Sequence, residues 1–136
     1  MIKEPTIPRM KKSPPAPADL LNLVETSLDD DKAEGIVVID LAGKTSLTDY
    51  MVIASGTSQR HVGAMAENLR RKIKQGGIKT VSVEGQTQCD WVLIDAGDVI
   101  IHLFRPEVRE FYNIEKMWGV PVPAGADSQS ATTGLI

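Results

Sequence analysis

The sequence predicts an α/β domain, a mixed sheet of about five strands flanked by helices. Three observations predict it. Apolar runs of strand length recur through the middle of the chain, at 36–39, 50–54, 80–84, 91–95 and 98–104. A long segment with helical apolar spacing, 59–75, stands between the second and third runs. A tight Ala96-Gly97 turn joins the last two, which makes them an antiparallel hairpin. The strand–helix–strand unit over 50–84 implies a parallel, right-handed crossover, so both kinds of pairing share one sheet.

Each element has a local cause. Five of the eight prolines fall within the first 17 residues. Proline fixes φ and lacks a backbone donor, so residues 1–17 are expected to be a disordered arm. The arm is slightly basic, with Lys3, Arg9, Lys11 and Lys12 against Glu4, and no apolar stretch follows, so a secretory signal is not expected. Residues 18–120 form the domain. Asp19 is expected to cap a helix over 19–29 with Leu20, Leu23, Val24 and Leu28 on one face. Asp29, Asp30 and Asp31 then oppose the helix C-terminus. Ile36-Val37-Val38-Ile39 reads as a strand covered on both faces. Residues 42–48 read as a loop, and Tyr50 to Ala54 as the second strand.

Ser55-Gly56-Thr57-Ser58 is a turn that supplies helix caps. Val62, Met65, Ala66, Leu69 and Ile73 then form one apolar stripe, which Gly76-Gly77 ends. Gly63 within it costs roughly 1 kcal/mol relative to alanine, and close packing of the helix on a sheet is a reason to keep it. Beyond the hairpin, Pro106 suits a first helical position. Val108, Phe111, Ile114 and Trp118 recur down one side, and Asn113 divides the segment into two short helices. Pro121-Val122-Pro123 opens a small-residue tail, 121–136, expected to be disordered because it has little apolar surface to bury.

A chain of 136 residues suits one domain. Its net charge of −3 argues against a generic DNA-coating protein and any dedicated DNA binding. The single cysteine, Cys89, excludes an intrachain disulfide framework and a multi-cysteine metal knuckle. No apolar run reaches the roughly 18–20 residues that a membrane-spanning helix needs, so a cytoplasmic protein is expected.

The hairpin carries the best functional signal. With a two-residue turn Asp95 faces Asp98, Trp91 lies opposite His102, Leu93 opposite Ile100 and Cys89 opposite Phe104, all on one face. Val92, Ile94, Val99, Ile101 and Leu103 make the other face uniformly aliphatic, as a helix-covered core requires. The first face mixes aromatic, imidazole and aliphatic groups. That suits a protein interface, where tryptophan supplies area and a polar handle. The alternative is that Trp91 fills space beneath a helix.

Other candidates have plainer readings. His61 and His102 belong to no cluster with metal-ligand spacing and read as structural or surface groups. Cys89 beside Asp90 has no activating base. The Ser55–Ser58 turn lacks the Gly-Lys of a phosphate loop, and capping explains it. Arg60, Arg70, Arg71, Lys72 and Lys74 against Glu67 form a basic helix face, suited either to RNA or to solvent. Asp40, Asp49, Asp95 and Asp98 lie near strand ends, where two or three together would hold a divalent cation for nucleotidyl transfer, the alternative reading of a divergent nucleotidyltransferase or nucleotide-binding protein; turns favour aspartate without catalysis.

Taken in order, five stretches resemble the ribosome silencing factor family, also called Iojap-like. They are Lys32 to Leu41 (KAEGIVVIDL), Ser46 to Val62 (SLTDYMVIASGTSQRHV) with Val83-Glu84-Gly85, Asp90 to His102 (DWVLIDAGDVIIH), and Tyr112 to Trp118 (YNIEKMW). The resemblance covers about residues 20–119. It implies a mixed α/β domain, nucleotidyltransferase-like without the active site. The transferases follow a Gly-Ser turn with Asp-x-Asp, whereas here a long helix and Thr80 to Glu84 follow, without that motif. It implies no enzyme activity, catalytic residue, metal or cofactor.

The implied function is to bind the large ribosomal subunit, on its ribosomal protein fourteen, at the face that meets the small subunit. Occupying that face blocks subunit joining and represses translation when nutrients are short. A homodimer is implied for the isolated protein. Trp91 is the expected anchor, with Leu93, Ile100, His102 and Phe104 around it. Thr48, Asp49, Tyr50, Tyr112 and Trp118 are carried over from matching family positions.

Overall fold

A computed structural model describes residues 15–118. The expected disordered arm and tail, apart from residues 15–17, therefore lie outside the described residues. The order of elements is α1 (Pro17–Asp30), β1 (Glu34–Asp40), β2 (Tyr50–Ser55), α2 (Gln59–Gln75), β3 (Ser82–Glu84), β4 (Trp91–Asp95), β5 (Val99–Phe104), α3 (Pro106–Tyr112) and α4 (Ile114–Met117). The strands form one mixed sheet in the order β1-β2-β5-β4-β3. Only β2 and β5 pair in parallel; the other neighbours are antiparallel. Thus β2 and β3 point the same way, as the strand–helix–strand reading requires, but β5 and β4 lie between them.

Helix α1 begins earlier than its apolar pattern. Pro17 occupies the first helical turn, where its missing N–H costs nothing, and Ala16 is the N-cap. Asp19 is therefore not the cap but an acidic group in the first turn, facing the positive end of the helix dipole. In α2 the cap is as expected: Ser58 Oγ accepts from the His61 backbone N–H at 3.1 Å. The chain leaves α2 through Gly76 and then Gly77, whose φ of +113° suits glycine.

Two cores lie on opposite faces of the sheet. Leu20, Val24 and Leu28 of α1 and the α2 stripe pack on Val52, Ala54, Val92, Ile94, Ile101 and Leu103. On the other face Ile39, Leu41, Met51, Ile53 and Phe104 form a smaller cluster, joined by Val108, Ile114 and Trp118 from the C-terminal helices. Strand β1 contributes to both, Ile36 and Val38 to the first and Val37 to the second, which explains its continuous apolar run.

The C-terminal segment breaks where expected. Asn113 adopts the left-handed conformation (φ 43°, ψ 55°) between α3 and α4. Phe111, however, does not face inward; it is 79% exposed. The buried residue of α3 is Arg109, and that of α4 is Glu115. Gly63 likewise has a different neighbour from the sheet: a Cβ there would stand 3.0 Å from Cys89 Sγ, in the loop before β4.

Candidate protein interface

Alternation places Trp91 and Leu93 of β4, and Ile100, His102 and Phe104 of β5, on the face away from α1 and α2. Helices α3 and α4 cover this face over β1 and β2. Over β4 and the neighbouring part of β5 they leave Trp91, Leu93, Ile100 and His102 half-buried. The hairpin register differs from the expected one. Trp91 lies opposite Phe104, and Leu93 opposite His102. Ala96 bonds to Val99 O at 3.0 Å, so the turn residues are Gly97 and Asp98. Gly97 takes the positive φ of +87°. A slip of two positions preserves which side chains share a face, so the expected grouping survives the wrong pairing. Cys89 does not oppose Phe104; it precedes β4 in a left-handed conformation (φ 57°), and its Sγ lies 3.0 Å from Gln86 O.

Trp91 and His102 are diagonal neighbours joined directly. Trp91 Nε1 donates to His102 Nδ1 at 2.9 Å. Burial pushes the His102 pKa down to about 4, so the imidazole is neutral at neutral pH. The indole also packs on Phe104 and Tyr112, with ring centroids 4.9 and 4.8 Å away. Phe111 meets Tyr112 edge-on at 4.9 Å. An aromatic row therefore runs from the sheet to the rim of α3.

The expected site residues divide accordingly. Trp91, Leu93, Ile100, His102 and Tyr112 come together on one accessible face. Phe104 is fully buried and supports Trp91 from beneath rather than touching a partner. Thr48 is also buried, with its hydroxyl donating to Tyr50 O at 3.2 Å. Tyr50 packs toward the α1/α2 core, on the opposite side of the sheet from Trp91. Asp49 belongs to the strand junction, where its backbone N–H and that of Tyr50 both donate to Asp98 O at 3.0 Å. Trp118 packs into the smaller core. Sequence reasoning missed Leu47, Phe111 and Met117, exposed by 82%, 79% and 72%. Leu47 carried a signal, as an apolar residue inside a loop; Phe111 was expected on an inward stripe, and Met117 carried no separate signal.

The remaining candidates have local roles. Asp40 Oδ1 accepts from Ala42 N–H, and Asp95 Oδ1 from Gly97 N–H, as turn-stabilising carboxylates do. Among the described residues no group of three or more His, Cys, Asp and Glu is placed to hold a metal ion. His61 is structural: Nδ1 accepts from Thr57 N–H at 2.9 Å, and Nε2 donates to Asp31 O at 2.7 Å. Gly56 is required by contact, because a Cβ there would lie 2.9 Å from both Met65 Cε and Val62 Cγ2. On α2, Arg70 pairs with Glu67 at 2.6 Å and Arg71 bonds Asn68. Among the described residues no helix is long and apolar enough to cross a membrane.

The family model described as ribosomal silencing factor during starvation matches residues 14–134. The chain belongs to this family. A ribosomal silencing factor from Zymomonas mobilis is 56% identical over 115 residues, covering 85% of this chain and 86% of the relative. A mouse relative, named mitochondrial assembly of ribosomal large subunit protein 1, is 37% identical over 113 residues, covering 76% of this chain and 50% of the relative. A crystal structure of a Chromobacterium violaceum protein superposes with a TM-score of 0.79 at 37% identity, covering 84% of this chain and 95% of that one. The Iojap-like resemblance and the mixed α/β fold are thereby established.

Proposed function

We propose that this protein binds the large ribosomal subunit, on its ribosomal protein fourteen, at the face that meets the small subunit, and that its bulk blocks subunit joining and represses translation. The activity is binding and steric exclusion, without catalysis, cofactor or metal. It operates in the cytoplasm, where translation takes place.

The observation that carries the reading is the accessible aromatic and aliphatic face of Trp91, Leu93, Ile100, His102 and Tyr112. Large rigid side chains in a half-buried cluster, with an indole at the centre, have the make-up of an interface hot spot. Family membership supports a ribosomal partner, and the mouse relative is named for the ribosomal large subunit. A standard interface of about 800 Å² per partner supplies useful affinity without chemistry. A homodimer through the same face is the natural resting state of the free protein, since burial of this cluster serves either partner.

Co-sedimentation with purified large subunits tests the reading. Trp91→Ala removes the anchor, and Leu93→Asp puts a carboxylate into the half-buried face. Both are expected to stay in the supernatant while remaining folded by circular dichroism. Pelleting of both variants at the wild-type level rules this interface out.

A further inference from the structure

An indole N–H donates and has no lone pair to accept with. The 2.9 Å contact from Trp91 Nε1 therefore makes His102 Nδ1 the acceptor. A neutral imidazole accepting at Nδ1 carries its hydrogen on Nε2. That Nε2–H makes no hydrogen bond among the described residues. Nor is it among the buried polar atoms left without a partner, so it is open to solvent. Trp91 thus fixes His102 Nε2–H as an outward-facing hydrogen-bond donor on the docking face.

The surroundings select its acceptor. Glu84 pairs with Leu93 and Asp95 with Ile100, so both carboxylates share this face, and both are exposed. From this face of β3, β4 and β5 no lysine or arginine projects. A phosphate would approach two carboxylates with no cation from these three strands beside them. A neutral carbonyl meets no such penalty.

We propose that His102 is a specificity-determining residue whose Nε2–H, held in place by Trp91, receives a carbonyl oxygen of a protein partner within the docking face. This rests on the docking reading above. A partner presenting a donor there leaves two N–H groups opposed and desolvated, which weakens binding by roughly tenfold to a hundredfold. The same holds if the acceptor is kept and His102 loses its donor.

Two substitutions separate this role from a structural one. His102→Asn keeps an acceptor near the Nδ1 position for Trp91 but withdraws the outer donor. His102→Gln restores an amide N–H near the Nε2 position. With the full chain and purified large subunits, His102→Asn is expected to bind about tenfold or more weakly, and His102→Gln to recover part of the loss. Nitrogen-15 NMR of the free protein is expected to show the Nε2–H tautomer of His102, a readout that holds even if a variant folds poorly. An Nδ1–H tautomer overturns the proposal, as does wild-type binding by His102→Asn while Ile100→Ala weakens it. If neither variant weakens binding, the docking reading itself fails. Loss of a homodimer in ultracentrifugation with unchanged subunit binding assigns the donor to self-association, and tight His102-dependent binding of naked ribosomal RNA assigns it to phosphate; either result overturns the protein carbonyl.

Discussion

Arg109 and Glu115, on either side of the Asn113 break, form a buried ion pair at 2.8 Å. Arg109 also donates to Ser55 Oγ at the end of β2 and to Gly35 O in β1. One guanidinium therefore ties α3 and α4 to the two strands they cover. It also fixes where α3 presents Tyr112, against Trp91.

Removing only the cation leaves the Glu115 carboxylate buried and unpaired. Arg109→Met is expected to cost about 3–5 kcal/mol in urea unfolding. Glu115 Oε1 has no partner even in the native pair. The double variant Arg109→Met, Glu115→Leu is therefore expected to recover most of the loss, because a packed apolar pair avoids the desolvation that this incomplete pair carries. A double variant as unstable as the single would contradict this account.

Gly85 controls the entry to β4. Its φ is +88°, and a Cβ there would fall 2.2 Å from the Trp91 backbone oxygen. Gly85→Ala is expected to destabilise by more than about 2 kcal/mol, through strain at a left-handed position together with the clash. The displacement of Trp91 also predicts a changed tryptophan emission in the variant that remains folded. Unchanged stability and emission would show that the loop absorbs the methyl group.

His102 gives the fold an acid sensitivity. Its pKa falls from the usual 6.5 to about 4 on folding, because burial disfavours the imidazolium. Below pH 6.5 the unfolded chain takes up a proton that the native state refuses. Stability from this group is therefore complete above pH 6.5, declines as pH falls toward 4, and is gone below that. The loss amounts to no more than about 3 kcal/mol. Urea midpoints from pH 7.5 to 4 are expected to fall more steeply for the wild type than for His102→Asn. Parallel curves would remove His102 from the explanation.

Tyr112 separates binding from folding. It is 53% exposed and touches Trp91 from the rim. Tyr112→Ala is expected to weaken large-subunit binding by about 1–2 kcal/mol and to change unfolding stability by less than about 1 kcal/mol. The reverse ordering, in titrations and melts of one preparation, would make Tyr112 a packing residue instead.

The strands, α2 and the break at Asn113 were legible because each carries a local cause: alternation, a helical stripe, or a residue that tolerates left-handed backbone. The hairpin register was not. Both Ala96-Gly97 and Gly97-Asp98 place glycine in the turn, and the choice falls to tertiary bonds from Asp49 and Tyr50 to Asp98 O. The face proposed for docking was still readable, since a slip of two keeps Trp91, Leu93, Ile100 and His102 together. Phe111 failed for a different reason. In a seven-residue helix the inward position is set by the strongest single anchor, and burial of Arg109 turns Phe111 to solvent. Thr48 and Tyr50 were grouped with Trp91 by motif alone, whereas the pleat sends Tyr50 to the other side of the sheet.

Subunit joining is the most direct test of steric exclusion. Separated small and large subunits are mixed under associating conditions with saturating purified protein and resolved on a sucrose gradient. The account predicts a depleted monosome peak, protein comigrating with the large subunit, and restored monosomes when Trp91→Ala replaces the wild type. Monosomes forming normally in the presence of saturating wild-type protein would contradict it.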